Sequence, residues 1–167
     1  MHHLCGRYYV GDIYACFYGD NDEWAVVHAC PLPCFHHAVT SGARHDGSMI
    51  VAERGSHLFL NVRDWEQPPP DHFMDTIISR LISFVDAQPP SRAILFHCHV
   101  GISRSPSLAL IMLAREGHIS DSTYASAKRH MQRTYPFFFP SSGIEHHLRK
   151  RWDSLCTDDC PSHYKDF

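Results

Sequence analysis

The stretch that most constrains this chain runs from residue 93 to residue 116. Ala93, Ile94, Leu95, Phe96 and His97 make a continuous apolar run of the kind buried in the middle of a sheet. Residues 106–116 carry Leu108, Ala109, Ile111 and Met112 at the spacing of a buried helix, which Gly117 closes. Only a short loop, Cys98-His99-Val100-Gly101-Ile102-Ser103-Arg104-Ser105, joins the two. A buried strand that passes at once into a buried helix needs further elements packed around both. The local order strand, loop, helix therefore points to an α/β domain.

Such a loop turns backbone N–H groups toward one point, with the positive end of the helix dipole behind them, and this makes an anion site. Cys98 at its start and Arg104 near its end can both face an oxyanion bound in the curve. Gly101 permits the tight turn without a Cβ clash. Arginine suits the second position better than lysine because its planar fork holds two oxygens of a tetrahedral anion at once. A free thiol is only a few per cent thiolate at neutral pH, so the loop must also favour the ionised sulfur. A helix terminus supplies at most about 2 kcal/mol toward this, and converging N–H donors and Arg104 have to contribute the rest. Ser105 adds a hydroxyl that can bond the sulfur and ease its departure from a covalent intermediate. His97 is expected to support the loop through hydrogen bonds rather than to act as a base. Most buried cysteines are inert core thiols. A His-Cys-x-x-Gly-x-x-Arg-Ser string, however, arises by chance in fewer than about one chain in a thousand of this length at average residue usage.

The rest of the chain reads in short elements. Residues 12–18 and 24–29 are expected as two early strands about the polar turn Gly19-Asp20-Asn21-Asp22, and residues 56–62 as a third. Between them, residues 31–55, with their Pro, Gly and His, read as a long loop with little regular structure, and hence as a functional surface. Phe73, Ile77, Leu81, Phe84 and Val85 lie at helical spacing in residues 71–88, with Asp71 as the cap and Pro89-Pro90 as the stop. Two more helices are expected, 121–133 behind a Ser120 or Asp121 cap and 143–155, divided by the rigid connector Tyr135-Pro136-Phe137-Phe138-Phe139-Pro140. The resulting expectation is an α/β fold with a short mixed central β-sheet flanked by helices, the loop sitting between the central strand and a buried helix. One domain fills residues 1–167, with its core over about 8–155 and a loose tail from 156.

Composition narrows the partners. With 44% apolar and 20% charged residues the chain has an ordinary folded composition. The formal charge is -3 and the basic residues are scattered, apart from Arg149-Lys150-Arg151, which read as a solvated helix face. Nucleic acid is not an expected partner. The longest apolar run, 108–114, falls far short of the roughly 20 residues that cross a bilayer, so no membrane association is expected. The first residues lack a basic segment followed by an apolar stretch, so no secretory signal is expected. Seven cysteines without the dense spacing of a disulfide scaffold suit a reducing, cytoplasmic setting. A monomer is expected.

At residues 97–105 the sequence resembles the protein tyrosine phosphatase superfamily, whose signature is His-Cys, five residues, Arg, then Ser or Thr. The continuation Arg104-Ser105-Pro106-Ser107-Leu108-Ala109-Leu110 and the short chain look most like the small dual-specificity phosphatases. Pro140-Ser141-Ser142-Gly143-Ile144 falls where that family usually carries Pro-Asn-x-Gly-Phe; Ser141 replaces the Asn, and no role is carried over to it. The resemblance implies the cysteine-phosphatase fold and hydrolysis of phosphotyrosine, with phosphoserine and phosphothreonine as further substrates, on phosphorylated proteins. In that chemistry Cys98 attacks phosphorus to give a phospho-cysteine. Arg104 and the loop amides of His99, Val100, Gly101, Ile102 and Ser103 bind the phosphoryl oxygens, and an Asp from an upstream loop protonates the leaving group. Asp64, just after the strand candidate ending at Val62, fits that place. Asp71 competes, but its position before a helix makes an N-cap the simpler role. No cofactor and no metal are implied.

Relatives acting on phosphoinositides tend to carry basic residues inside the loop, whereas Val100, Ile102 and Ser103 are uncharged and only His99 can become cationic. This favours phosphoprotein. No segment resembles the deep phosphotyrosine-gripping loop of the large tyrosine-specific enzymes, which implies a shallow pocket. Two rival readings use the same scaffold: a catalytically silent phosphopeptide-binding module, which loss of the nucleophile would mark, and an RNA 5′-phosphatase, which needs a basic channel.

Cys30 and Cys34 share a segment with His36 and His37, but CxxxC spacing without a second paired group is a weak zinc signal. Cys30 follows the second strand candidate, whose end lies close to the phosphate loop in the resembled fold. Cys30 or Cys34 is therefore expected to form a reversible disulfide with Cys98 and shield it from over-oxidation. Trp65 and Phe137-Phe138-Phe139 belong either to a substrate groove or to the core.

Overall fold

The computed structural model describes residues 1–19, 21–119 and 123–156. Among them seven strands form one sheet: β1 (His2–Cys5), β2 (Tyr8–Gly11), β3 (Trp24–His28), β4 (Arg44–His45), β5 (Val51–Arg54), β6 (His57–Leu60) and β7 (Ala93–His97), in the spatial order β1-β2-β7-β3-β6-β5-β4. The central four, β2, β7, β3 and β6, run parallel, while β1 and the β5–β4 edge are antiparallel. Five α-helices accompany the sheet: α1 (His36–Thr40), α2 (Asp71–Asp86), α3 (Arg104–Arg115), α4 (Tyr124–Thr134) and α5 (Ser142–Cys156). This is the mixed sheet flanked by helices that the pattern implies.

Alternation along the strands sorts side chains onto two faces. Ala25, Val27, Leu58, Leu60, Ile94 and Phe96 enter the main core, which α2, α3, α4 and α5 close. Val26, Phe59 and Leu95 occupy the other face, under a 3-10 helix (Ile13–Gly19) that contributes Ala15 and a helical turn (Pro31–Phe35) and α1 that contribute Phe35 and Ala38. By the same alternation His28, His57 and His97 fall on this second face. Helix α3 is buried from Arg104 through Ala114. Its Leu108, Leu110, Ile111, Met112 and Leu113 each gain about 1.5–3 kcal/mol from burial, so the element behind the loop has no solvent face and little freedom to move.

Several elements depart from the sequence expectation. Residues 12–18 are not a strand: β2 stops at Gly11, and the Asp12 carboxylate accepts the Tyr14 amide at 3.1 Å while the Asp12 carbonyl accepts the Ala15 amide at 3.0 Å, which turns the chain into the 3-10 helix. The β-formers Tyr14 and Phe17 are exposed while Ala15 is buried, so propensity yields to context there. Residues 31–55 are not an unstructured loop; they hold the Pro31–Phe35 turn, α1, β4 and β5. Helix α2 begins at Asp71, but Asp71 is not its cap. Pro70 occupies the cap position, and Asp71 is drawn instead to Lys150 of α5, at 2.7 Å. Arg149, Lys150 and Arg151 are likewise not a free face: they pair with Glu145, Asp71 and Asp75. Helix α4 is capped by the Thr123 side chain, which accepts the Ser126 amide at 3.1 Å; Ser120, Asp121 and the tail 157–167 lie outside the described residues. Helix α3 starts at Arg104, earlier than the apolar pattern alone indicates, so Arg104 and Ser105 stand in its first turn.

Candidate active site

Parallel strands present their carboxyl ends together, and β2, β7, β3 and β6 end at Gly11, His97, His28 and Leu60. The loop 98–103 leaves β7 at this edge, where open α/β sheets bind ligands. Its path is held on two sides. On one, the Cys98 amide donates to Gly11 O at 3.3 Å and the Ile13 amide donates to His99 O at 3.2 Å. On the other, the Tyr135 hydroxyl donates to Gly101 O at 3.1 Å, the Phe139 amide to Ile102 O at 2.8 Å and the Ser141 amide to Ser103 Oγ at 3.0 Å. Gly101 has φ +87°, and a Cβ there would sit 3.1 Å from the Gly11 carbonyl, so the residue serves both the left-handed turn and the close approach of β2.

The sulfur of Cys98, 1% exposed, is the convergence point. The Gly101 amide donates to Sγ at 3.2 Å, and the Ser105 hydroxyl lies 3.2 Å from Sγ and 3.3 Å from Gly11 O. A hydroxyl has one hydrogen, so Ser105 can give it to either acceptor. The amides of His99, Val100, Ile102 and Ser103 donate to no protein acceptor among the described residues, so they are free to bind an oxyanion. Arg104 opens α3, with only a tenth of its side chain exposed; its Nε stands 2.8 Å from Asp64 Oδ2, and Nη1 donates to Val62 O at 3.4 Å. The Nε–Oδ2 contact is an ion pair without the alignment of a hydrogen bond. Asp64 is two-fifths exposed, so the carboxylate spans from the guanidinium to solvent.

The segment carrying Asp64 is fastened to the start of α5. The Gly143 amide donates to Trp65 O at 2.9 Å, the Ser142 hydroxyl to Glu66 O at 2.6 Å, and Trp65 packs edge-on against Phe73. Gly143 is required by space, since a Cβ would lie 2.3 Å from Gln67 O. Asp71 is remote from this arrangement and engaged with Lys150 and His147. From Arg104 and His99 a groove of 730 Å³ runs between Pro31–Thr40 and a wall of Met49, Asn61 and Arg63. Of the three adjacent phenylalanines, Phe138 is core and Phe137 and Phe139 are exposed beside the loop.

Behind the loop, Nε2 of His97 and Nδ1 of His28 share a 2.6 Å hydrogen bond, and Nε2 of His28 and Nδ1 of His57 share one of 3.0 Å. Burial moves His97 down to about 4 and His28 well below the ordinary histidine range, so both rings are neutral at physiological pH. His97 bonds His28, a partner that carried no signal in the sequence. Cys30 lies beside Cys34, whose thiol bonds it, and within the influence of Arg104 and His99; these lower Cys30 to about 6 against the opposing effect of burial. Cys34 is pushed up, first by its bond to Cys30 and then by burial. The set Cys30, Cys34, His36 and His37 is not gathered as a cluster. The group drawn together among the described residues is His28, Cys34 and His97. Gly11 and Tyr135 were also silent in the sequence, because each acts through a hydrogen bond to residues far away along the chain.

No family model matches the sequence, and no curated protein matches it. Solved structures do. The human phosphatase DUSP28 is similar over 93% of this chain and 94% of its own, with a TM-score of 0.62 and 16% identity. The PTP-2 phosphatase of Cydia pomonella is similar over 90% and 88%, with a TM-score of 0.62 and 18% identity. A human tyrosine phosphatase-like serine/threonine/tyrosine-interacting protein is similar over 94% and 98%, with a TM-score of 0.55 and 14% identity. The chain therefore has the fold of these phosphatases.

Proposed function

We propose that the chain is a cysteine-dependent phosphatase of the small dual-specificity type, acting on phosphate monoesters of proteins, on phosphotyrosine and also on phosphoserine and phosphothreonine. The observation that carries this reading is the convergence of the Gly101 amide and the Ser105 hydroxyl on Cys98 Sγ, at 3.2 Å each, together with an Arg104 paired with Asp64 at 2.8 Å. In the proposed cycle a phosphoryl group enters the curve and its oxygens take the loop amides and Arg104. Doing so competes with Asp64 for the guanidinium and leaves that carboxyl next to the leaving oxygen. Cys98 attacks phosphorus as the thiolate while the P–O bond breaks, and Asp64, which takes up a proton from solvent once the phosphoryl group displaces it from Arg104, gives that proton to the departing oxygen. Asp64 then takes a proton from water, which attacks the phospho-cysteine, and Ser105 stabilises the sulfur as it leaves. Phosphoprotein is favoured as substrate because the loop positions Val100, Ile102 and Ser103 carry no charge, and because the groove beyond Arg104 is largely apolar, with Pro31, Leu32, Phe35, Val39 and Met49.

Hydrolysis of p-nitrophenyl phosphate by the purified chain, abolished in Cys98→Ser, tests the reading. Asp64→Asn should lower kcat by about 10²–10⁴-fold with KM nearly unchanged. A similar fold is found in a protein described only as phosphatase-like, and a silent binding module is the second reading; vanadate binding without turnover would establish it and reject the first. A panel of phosphotyrosine, phosphoserine and phosphothreonine peptides set against inositol phosphates and RNA 5′-ends resolves the substrate class.

A further inference from the structure

The second face of the sheet carries a feature that phosphate chemistry does not use. A cavity of 610 Å³ lies behind the loop, walled by Cys16, His28, Cys34, His37 and His57 together with aromatic residues that include Phe59. Two of its lining residues, His28 and Cys34, join His97 beside it: one ligand-capable atom of each falls within 4.8 Å of the other two. His97 and His28 are almost wholly buried and Cys34 is half-buried. These three residues come from different segments: His28 ends β3, Cys34 sits in the Pro31–Phe35 turn, and His97 ends β7 as the register partner of His28. Buried nitrogen and sulfur donors that converge from separate segments, with no carboxylate among them, are the ligand type of a zinc ion.

We propose that His28, Cys34 and His97 form a zinc site, with a fourth position open to the cavity whose wall includes Cys16. The facing nitrogens of His97 and His28 stand 2.6 Å apart with one hydrogen between them. Zinc–nitrogen bonds of about 2.0–2.1 Å in a tetrahedron set their nitrogens roughly 3.3 Å apart. The ion thus replaces that hydrogen, which passes to the other nitrogen of the ring that carried it, Nδ1 of His97 or the Nε2 of His28 that faces His57, with a sub-ångström separation of two rings whose strands are already paired. The Cys34 thiol becomes the third ligand as the thiolate, and its proton leaves to solvent as the Zn–S bond forms. Once bound, zinc ties the end of β3 and the turn after it to the residue immediately before Cys98. It is a brace behind the loop, distinct from any metal held by Cys98 itself.

The test uses the full-length chain stripped with chelator and titrated with Zn²⁺, with stoichiometry read by elemental analysis after dialysis and coordination by X-ray absorption. One zinc per chain is expected, with a sulfur at about 2.3 Å and nitrogens at about 2.0 Å. Cys34→Ser should weaken binding by at least about tenfold and remove the sulfur shell. Cobalt in place of zinc should give a thiolate-to-metal absorption that Cys34→Ser abolishes and Cys98→Ser retains. His37→Ala, which alters the cavity wall alone, should bind as the parent does. Circular dichroism establishes that each variant is folded before titration. Absence of zinc at micromolar free concentration, binding indifferent to Cys34→Ser, or binding lost in Cys98→Ser would each overturn the proposal. The first two deny the site, and the third assigns the metal to the nucleophile. None of these readouts depends on phosphatase turnover.

Discussion

Replacing Gly143 with alanine puts a methyl group into the joint that holds the Asp64 segment. The new Cβ would lie 2.3 Å from Gln67 O, 2.7 Å from Trp65 O and 2.8 Å from Gln67 C. All three atoms are backbone, so no side chain can swing aside. Ordinary contact begins near 3.4 Å, and relief therefore demands that α5 and the segment 65–67 part by about 1 Å. Overpacking of this kind costs about 1–3 kcal/mol of stability. The Gly143 amide to Trp65 O bond, 2.9 Å, and the Ser142 hydroxyl to Glu66 O bond, 2.6 Å, stretch with it. Because Asp64 stands one residue before Trp65, the same displacement carries its carboxyl away from Arg104. A misplacement of about 1 Å at a reacting group costs roughly 10²-fold in rate. The assay compares kcat/KM of Gly143→Ala and parent on a phosphotyrosine peptide, and on an aryl phosphate whose phenol is acidic enough to leave unprotonated. The peptide rate should fall about 10²-fold and the activated ester far less, with urea unfolding reporting the stability loss. Equal losses on the two substrates would refute the placement of the acid. Unchanged rates and stability would refute the joint itself.

Other perturbations follow from the same geometry. Gly101→Ala forces a side chain into φ +87° against the Gly11 carbonyl; it should cost about 1–2 kcal/mol in urea unfolding and lower turnover, because the amide that bonds Cys98 Sγ moves with it. In chelated protein, His97 binds its proton near pH 4 when folded and near pH 6.5 when unfolded. Stability is therefore complete above about pH 6.5 and declines by about 3 kcal/mol as pH falls toward 4, with His28 acting in the same direction. Denaturant titrations across that window should show the slope, and His97→Gln should flatten it. Mild peroxide should yield a Cys30–Cys98 disulfide on mass spectrometry, given a Cys30 lowered first by its bond from Cys34 and further by Arg104 and His99; recovery of Cys98 only as sulfinic acid, or of Cys30 joined to Cys34 instead, would exclude Cys30 as its partner.

What the chain declares on its own is what neighbouring residues encode. The strand, loop and helix from 93 to 115 are legible because Cys98, Gly101, Arg104 and Ser105 are fixed to one another by covalent spacing, and the apolar runs on either side carry their own periods. Helices α2 and α5 and strands β3, β6 and β7 are legible for the same reason. Strands β1 and β2 were missed because they are short and partly polar, and residues 12–18 were misread because Asp12 turns a run of β-formers into a 3-10 helix through bonds to its own neighbours. Asp64 was read from its place after the strand candidate ending at Val62, and Asp71 was set aside as a helix cap; that capping role was wrong, because α5, distant in sequence, claims Asp71 through Lys150.

Only the tertiary structure decided which groups stand behind and around the loop. Gly11 reaches it because β2 lies parallel beside β7, Tyr135 and Ser141 because the connector crosses its mouth, and Gly143 because α5 begins against the Asp64 segment. His28 reaches His97 because β3 and β7 pair in register, a fact that belongs to neither strand alone. Sequence spacing fixes chemistry within a few residues, where the backbone is the ruler. Across the sheet the ruler is strand register, which the whole packed core selects and no local segment records.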